Sequence, residues 1–414
     1  MVINNCYSVQ RNLFKRGDRF VYCDFYAKYD AIESRISACR QCVTSTVFNL
    51  AMQQKLLIVG QSARMLAYAA KQIGLNSIVI DVYSDSDTQA FALEFCQIPD
   101  LSKCYLIPAL SFLIARHSIS DVIYSSGFEE YPDSLGYLTE KLEVLGNNYK
   151  TFVAVQDKKS FFSTLGTLKI PHPDVSFIQP ELAEDWLIKP MFGHGGIGIK
   201  RFSQTCNVDK YFYWQKFLIG AQHSVLFLAD GEHAQVVGFN TQWTLNSDEK
   251  TEFIFSGIIN SCELRDEYKQ NVVEWIEKLV PVYGLLGLNS LDFIYTNGAC
   301  FVLEINPRPS ASMQLYDVDL LSRHIRACNG ELTPNLPLQT RAAAYQVIYA
   351  EDDLTIPVQF YWPEGVVDIP KAGALIRKGQ PICSIIVHEK NTQLVLVQLA
   401  IKQQQLIKNL EGTD

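Results

Sequence analysis

The change of pattern at Lys55 limits what this chain can fold into more than any other feature. Lys55-Leu-Leu-Ile-Val-Gly60 is a short unbroken apolar run that stops at glycine, as a buried strand does. From Ser62 to Ile73 the apolar residues Met65, Leu66, Ala69, Ala70 and Ile73 fall at helical spacing, and Gly74 ends the pattern. Ser77-Ile-Val-Ile-Asp81 is a second strand. A helix crossing between two strands returns the second parallel to the first, so this region must form an α/β sheet.

The unit resembles a dinucleotide site only in outline. Asp81 stands about twenty residues after Gly60, as an acidic ribose contact would. Gly60-Gln-Ser-Ala-Arg-Met65 holds one glycine where close approach of a pyrophosphate needs three, so NAD is not expected. Asp121-Val-Ile-Tyr124 continues the sheet into the loop Ser125–Glu130. That loop lies at a strand's C-terminal end, where open α/β sheets place ligands.

With 414 residues the chain exceeds the reach of one core, and roughly two to four domains are expected. A net charge of −8 and the lack of a dense basic run argue against nucleic acid as a partner. No apolar stretch has the length of a membrane span, and the N-terminus lacks a secretory pattern. Eleven scattered cysteines fit reduced thiols in a cytoplasmic protein. Cys39-x-x-Cys42 has metal-like spacing, but Cys6 and Cys23 make no second pair, so incidental cysteines are the better reading.

Further along, Asp157 is placed to cap a helix that ends near Gly166, and Pro171-His-Pro173 marks a boundary. Strand patterns then dominate: Trp186–Lys189, Tyr213–Leu218, His223–Ala229, Gln235–Gln242, Leu291–Tyr295 and Cys300–Ile305. Helices are expected over Glu267–Tyr283, from Val272, Val273, Ile276, Leu279 and Val280, and over Asp317–Ala327. Ala342–Tyr349 and Gln380–Leu399 read as strands of a small β-rich tail, with Pro357, Pro363, Pro370 and Gly373 at its turns.

Two segments carry chemistry. In Trp186-Leu-Ile-Lys-Pro-Met-Phe-Gly-His-Gly-Gly-Ile-Gly-Ile199, Lys189 ends a strand and precedes Gly193, Gly195, Gly196 and Gly198. Such glycines let backbone N–H groups close on phosphate oxygens. The spacing is not that of a P-loop and no helix follows, so a flap between two strands is the expected form, with Lys189 reaching phosphate. A mobile glycine-rich hairpin satisfies the same residues. In Phe301-Val-Leu-Glu-Ile-Asn-Pro-Arg-Pro309, Glu304 and Asn306 share one face of a strand, and Asp292 can join them from its neighbour. Two carboxylates and an amide oxygen suit Mg²⁺ (or Mn²⁺), while solvated polar residues at a strand end are the plainer alternative. Two prolines stiffen the backbone around Arg308, which can neutralise a transferring phosphoryl group. Gln215, Lys216, Phe217 and Leu218 close an apolar strand that is either purely structural or the wall of an adenine pocket.

In its order of motifs the chain resembles the ATP-grasp superfamily: Asp157-Lys158, then Lys189–Ile199, Gln215–Leu218, Asp292 and Glu304-x-Asn306. A narrower likeness runs through residues 57–66, 80–88, 126–129 and 304–312 and the tail segments Trp362-Pro, Asp368-Ile-Pro and Gly379–Cys383. It resembles predicted ATP-dependent carboligases related to biotin carboxylase, a group associated with tetrahydromethanopterin- and methanofuran-type one-carbon metabolism. The resemblance implies an ATP-grasp fold of α/β and α+β domains: a Rossmann-like α/β domain over 55–150, a two-lobed nucleotide domain over 151–330 and a β-rich domain over 331–414. It does not reach 1–54, which is expected to be a dispensable extension.

The implied reaction is ATP- and Mg²⁺-dependent ligation of a carboxylate to an amine through an acyl phosphate, with glutamate a candidate acceptor. Lys158, Lys189 and the loop Gly193-His194-Gly195-Gly196-Ile-Gly198 would hold phosphates, and Gln215–Leu218 adenine. Asp292, Glu304 and Asn306 would hold the metal, and Arg308 would act in catalysis. The sequence departs from the family pattern at His194, where small residues prevail, and at Gln215-Lys216, where an acidic residue is common. A carboxylating or kinase-like enzyme, or a non-catalytic nucleotide-binding module, are the alternatives. The expected partners are small-molecule carboxylate and amine substrates and a second copy in a homodimer, with no membrane.

Overall fold

The computed structural model describes residues 55–182, 185–203, 211–245, 251–337 and 339–412. Cys39 and Cys42 lie outside them, as does the expected extension. The strand–helix–strand unit is present: β1 (Lys55–Gly60), α1 (Arg64–Gln72) and β2 (Asn76–Asp81). It continues as α2 (Ser86–Phe91), β3 (Glu94–Gln97), α3 (Lys103–His117), β4 (Asp121–Tyr124), α4 (Pro132–Lys141) and β5 (Glu143–Val144). The five strands form a parallel sheet in the order β3-β2-β1-β4-β5. Strands buried on both faces need no polar alternation, which is why β1 reads as a continuous apolar run. Leu57 and Val59 pack on one face with Leu106, Leu110 and Phe152; Leu56 and Ile58 pack on the other with Leu66, Ala67 and residues of the next sheet.

After α5 (Tyr149–Gln156), Asp157 caps α6 (Lys158–Thr167) as expected, its carboxylate accepting from the amides of Lys159 and Ser160 at 3.1 and 3.2 Å. A small antiparallel sheet follows, made of β6 (Val175–Ser176), β7 (Trp186–Pro190), β8 (Lys200–Arg201) and β9 (Phe212–Lys216), in the order β6-β9-β7-β8. Next come β10 (Ala221–Asp230), β11 (Ala234–Thr244), β12 (Phe255–Ile259), α7 (Asp266–Tyr283), β13 (Leu286–Thr296) and β14 (Ala299–Asn306). Helix α7 buries Val272, Ile276, Leu279 and Val280. A 3-10 turn at Ala311–Leu315 leads to α8 (Leu320–Cys328), whose N-cap Asp319 accepts from the amide of Ser322.

The tail supplies β15 (Ala342–Tyr349), β16 (Leu354–Thr355), β17 (Val366–Val367), β18 (Leu375–Ile376), β19 (Pro381–Glu389) and α9 (Thr392–Glu411). Its main strands do not form a sheet of their own. They extend an eight-stranded sheet, β14-β13-β10-β11-β12-β15-β19-β17, through β12 pairing with β15. The strand pattern over Gln380–Leu399 is half corrected: it ends at Glu389, and Asn391 caps a helix by accepting from the amide of Leu394 at 2.9 Å. The buried positions Val395, Leu399, Leu406 and Leu410 have helical spacing, which the apolar run Leu394–Leu399 masked. Among the described residues no helix is long and apolar enough to cross a membrane.

Candidate active site

The eight-stranded sheet carries the charged floor of the site. In the antiparallel register of β13 and β14, Asp292 faces Glu304 and Ser290 faces Asn306. Directly opposed residues share a face and stand close together, so the two carboxylates are forced together by pairing alone. Asn306 Nδ2 donates to Asp292 Oδ2 at 3.0 Å, and Gln242 on β11 donates to Oδ1 at 3.3 Å. Loss of water and then the charge of Glu304 push Asp292 up to about 7. Glu304 goes the other way: burial would raise it, but Lys158 and Lys189 outweigh that and hold it below the usual range.

Those lysines come from separate elements. Lys158, in the first turn of α6, is 5% exposed and its Nζ lies 3.2 Å from Glu304 Oε2. Lys189 on β7 donates to Gln215 Oε1 at 2.9 Å, and burial lowers its pKa against the pull of Glu304. Gln215 is 2% exposed, and its Nε2 has no hydrogen-bond partner. A buried donor left open beside a lysine fits a site that awaits an acceptor from a ligand.

After β7 the chain turns through Gly193, Gly195, Gly196 and Gly198, all at positive φ. The loop is seated on the start of β12 and the residues just before it: Phe255 donates its amide to the Gly195 carbonyl at 2.9 Å. A Cβ on Gly196 would stand 1.8 Å from the Phe253 carbonyl oxygen. His194 Nδ1 lies 3.9 Å from Glu130.

Arg308 is held from two sides. Its Nε donates to Glu129 Oε1 at 2.7 Å, and a terminal nitrogen reaches Asn306 Oδ1 at 3.4 Å. The carbonyl of Pro307 accepts from Tyr124 and Asn147, each at 3.0 Å, which fixes the turn from which Arg308 projects. Glu129 is almost fully buried, and burial would raise its pKa. Arg308 and His194 overcome that, so it stays below its ordinary range. Glu129 belongs to the Ser125–Glu130 loop whose position, but no single residue, stood out in the sequence.

A cavity of about 330 Å³ gathers Lys189, His194, Gly195, Gly196, Asp292, Glu304, Asn306 and Arg308 along its wall. Lys158 joins through Glu304 and Gln215 through Lys189. Gly193, Gly198, Lys216, Phe217 and Leu218 are not part of that wall. The amides of Lys216 and Phe217 donate to the carbonyls of Asp174 and Asp185, and the Phe217 ring packs edge-on against Phe253, which does line the cavity. Among the described residues no cluster of three or more His, Cys, Asp or Glu side chains could hold a metal. The candidate cation site is therefore a carboxylate pair completed by an amide, the kind of partial shell that Mg²⁺ finishes with phosphate and water.

A three-part layout of parallel α/β sheet, small antiparallel lobe and large antiparallel sheet is that of the ATP-grasp fold. Residues 155–312 match the ATP-grasp domain family, so this stretch of the chain is an ATP-grasp domain, an architecture that implies binding of ATP and Mg²⁺. An uncharacterized protein of Methanocaldococcus jannaschii is 22% identical over 82% of this chain and 90% of its own length. The biotin carboxylase domain of Hydrogenobacter thermophilus 2-oxoglutarate carboxylase has the same fold, with a TM-score of 0.68 and 16% identity over 87% of this chain and 90% of that one. N5-carboxyaminoimidazole ribonucleotide synthetase from Thermotoga maritima has a TM-score of 0.65 and 15% identity over 85% of this chain and 98% of that one.

Proposed function

We propose that this protein is an ATP- and Mg²⁺-dependent ligase that joins a carboxylate to an amine, releasing ADP and phosphate. The observation that carries the reading is the convergence of the Asp292–Glu304 pair, Lys189 and Arg308 on one cavity that continues past Arg308 to the α/β domain. In this reading Lys158, Lys189 and the amides of the Gly193–Gly198 loop bind and orient the phosphates, and Gln215–Leu218 border the adenine. Asp292, Glu304 and Asn306 hold Mg²⁺, which when bound neutralises the phosphate charge. The acid's oxygen bonds to the γ-phosphorus as the bond to ADP breaks. The amine nitrogen then attacks the acyl carbon, phosphate leaves with the C–O electron pair, and the surplus amine proton passes to solvent. Arg308, held in place by Glu129, steadies the developing negative charge. The one-carbon coenzyme setting enters the proposal through the sequence resemblance alone.

The test is ADP release measured over a matrix of paired acids and amines. Release that requires both supports the ligase reading. Release that never depends on an amine or other acceptor sinks it, and would turn attention to a carboxylating or kinase-like reaction.

A further inference from the structure

The cavity extends well beyond the proposed phosphate and metal groups. Past Arg308 its wall includes Ser62, Ser126, Ser310, Gln314, Tyr345 and Asp368, drawn from the α/β domain, the turn after β14 and the tail. On the ligase reading, on which this inference rests, that is where the acyl acceptor must sit.

Both arginines there are already engaged. Arg308 is paired with Glu129, and Arg64 donates to Asp368 at 2.8 Å and to Gln314 at 2.6 Å. Each guanidinium therefore already carries a carboxylate counter-charge, so neither presents an uncompensated cation to an acceptor. The charge behind the wall also has the wrong sign for an anion. Asp87 lies 4.0 Å from Arg64 and accepts from the amides of Asp368 and Ile369. Asp85, only 7% exposed, has an Oδ2 with no hydrogen-bond partner, and the charges of Asp368, Asp81 and Asp87 act on it. Burial, then these neighbours, push Asp85 to about 8, while burial brings Asp81 to about 6. Counting Asp85 as neutral still leaves Asp368 and Asp87 against a single guanidinium, and Asp81 adds negative charge at neutral pH. Asp368 accepts from Arg64 through Oδ1 and from Tyr345 through Oδ2, with Ser384 a third donor, which still leaves accepting capacity on a carboxylate in the cavity wall.

We propose that Asp368 is a specificity-determining residue and that the acceptor is an amine carrying a second positive charge, a diamine or basic amino acid. Its distal ammonium docks at Asp368 while the reacting nitrogen faces Arg308. An acidic acceptor such as glutamate, which the sequence resemblance suggests, meets a repulsive field at this wall.

The experiment uses the full chain saturated with Mg²⁺ and non-hydrolysable AMP-PNP, titrated calorimetrically with 1,4-diaminobutane, L-lysine and L-glutamate. The two cationic probes should bind and glutamate should not. Asp368→Asn should weaken the cations about tenfold, the scale of one lost charge contact, with AMP-PNP affinity unchanged. Asparagine tolerates the φ of +56° at this position and keeps an oxygen for Arg64, and a thermal melt checks that the variant folds. Should it melt early, wild-type affinity for 1,4-diaminobutane decides: it must fall as NaCl rises from about 20 to about 300 mM. Glutamate binding as tightly as the cations, binding by none of the three probes, an unchanged Asp368→Asn variant, or salt-independent binding overturns the proposal. ADP release that requires an acidic amine overturns it while leaving the ligase reading intact. Failure of the wild-type chain to bind AMP-PNP tells against the ligase reading instead.

Discussion

The floor and the cover of the cavity are built by opposite means. On the floor, Asp292 and Glu304 are side chains on adjacent strands of a large sheet, locked opposite each other by register. The cover is a backbone device, four glycines at positive φ between two short strands, resting on Phe253–Phe255. A registered floor is preorganised and unforgiving toward changes of charge. A glycine cover is unforgiving only where a Cβ has nowhere to go.

The strongest way to break this contrast is at the floor. Glu304→Gln, which removes charge but little volume, should lower turnover by about a thousandfold with the melting temperature nearly retained. Steady-state ADP release together with a thermal melt checks it, and near-normal turnover would refute the floor's role. Arg308→Ala comes next, with an expected loss of about a hundredfold in kcat and a smaller change in KM for ATP.

On the cover, two neighbouring glycines should differ. Gly195 at φ +62° has open space where a Cβ would stand, whereas at Gly196 (φ +77°) the Cβ would meet the Phe253 carbonyl. Backbone strain alone costs about 1–2 kcal/mol, so Gly195→Ala should raise KM for ATP roughly fivefold. Gly196→Ala adds the clash and should raise it by about thirtyfold. Equal effects would mean that the loop is not seated as described.

The smallest effect concerns pH. Asp292 stands near 7 in the fold against an ordinary 3.8, so the native state binds the extra proton between those values. Its contribution to stability is therefore lost as pH rises through 7, in the metal-free protein. Bound Mg²⁺ removes that penalty, so it should raise the melting temperature more at pH 8 than at pH 6, by about 3 °C. Calorimetric scans with and without Mg²⁺ would show it.

Parts of this design can be read from the chain without coordinates. Period two places Glu304 and Asn306 on one face, and an apolar run ending in glycine announces the parallel sheet. Lys158 is visible only through the order of motifs, because nothing local says that the first turn of α6 meets β14, 146 positions away. Glu129 and Asp368 are harder still. Their partners Arg308 and Arg64 lie 179 and 304 positions away, and no periodicity spans such distances. The one available signal was the placement of the Ser125–Glu130 loop at the end of β4. Helix α9 was lost for a different reason, since its apolar run satisfies strand and helix patterns alike until the cap at Asn391 is seen.

The pairing of β12 with β15 has a practical outcome for anyone who trims this protein. Cutting after residue 341 would not remove a detachable module; it would uncover the hydrogen-bonding edge of β12 and leave Ile259 without its neighbours Ala344 and Ile348. Such a raw edge invites pairing with other chains. A shortened protein should therefore clump during expression, and a nucleotide domain prepared without its tail would need that edge masked, for instance by a charged or proline substitution.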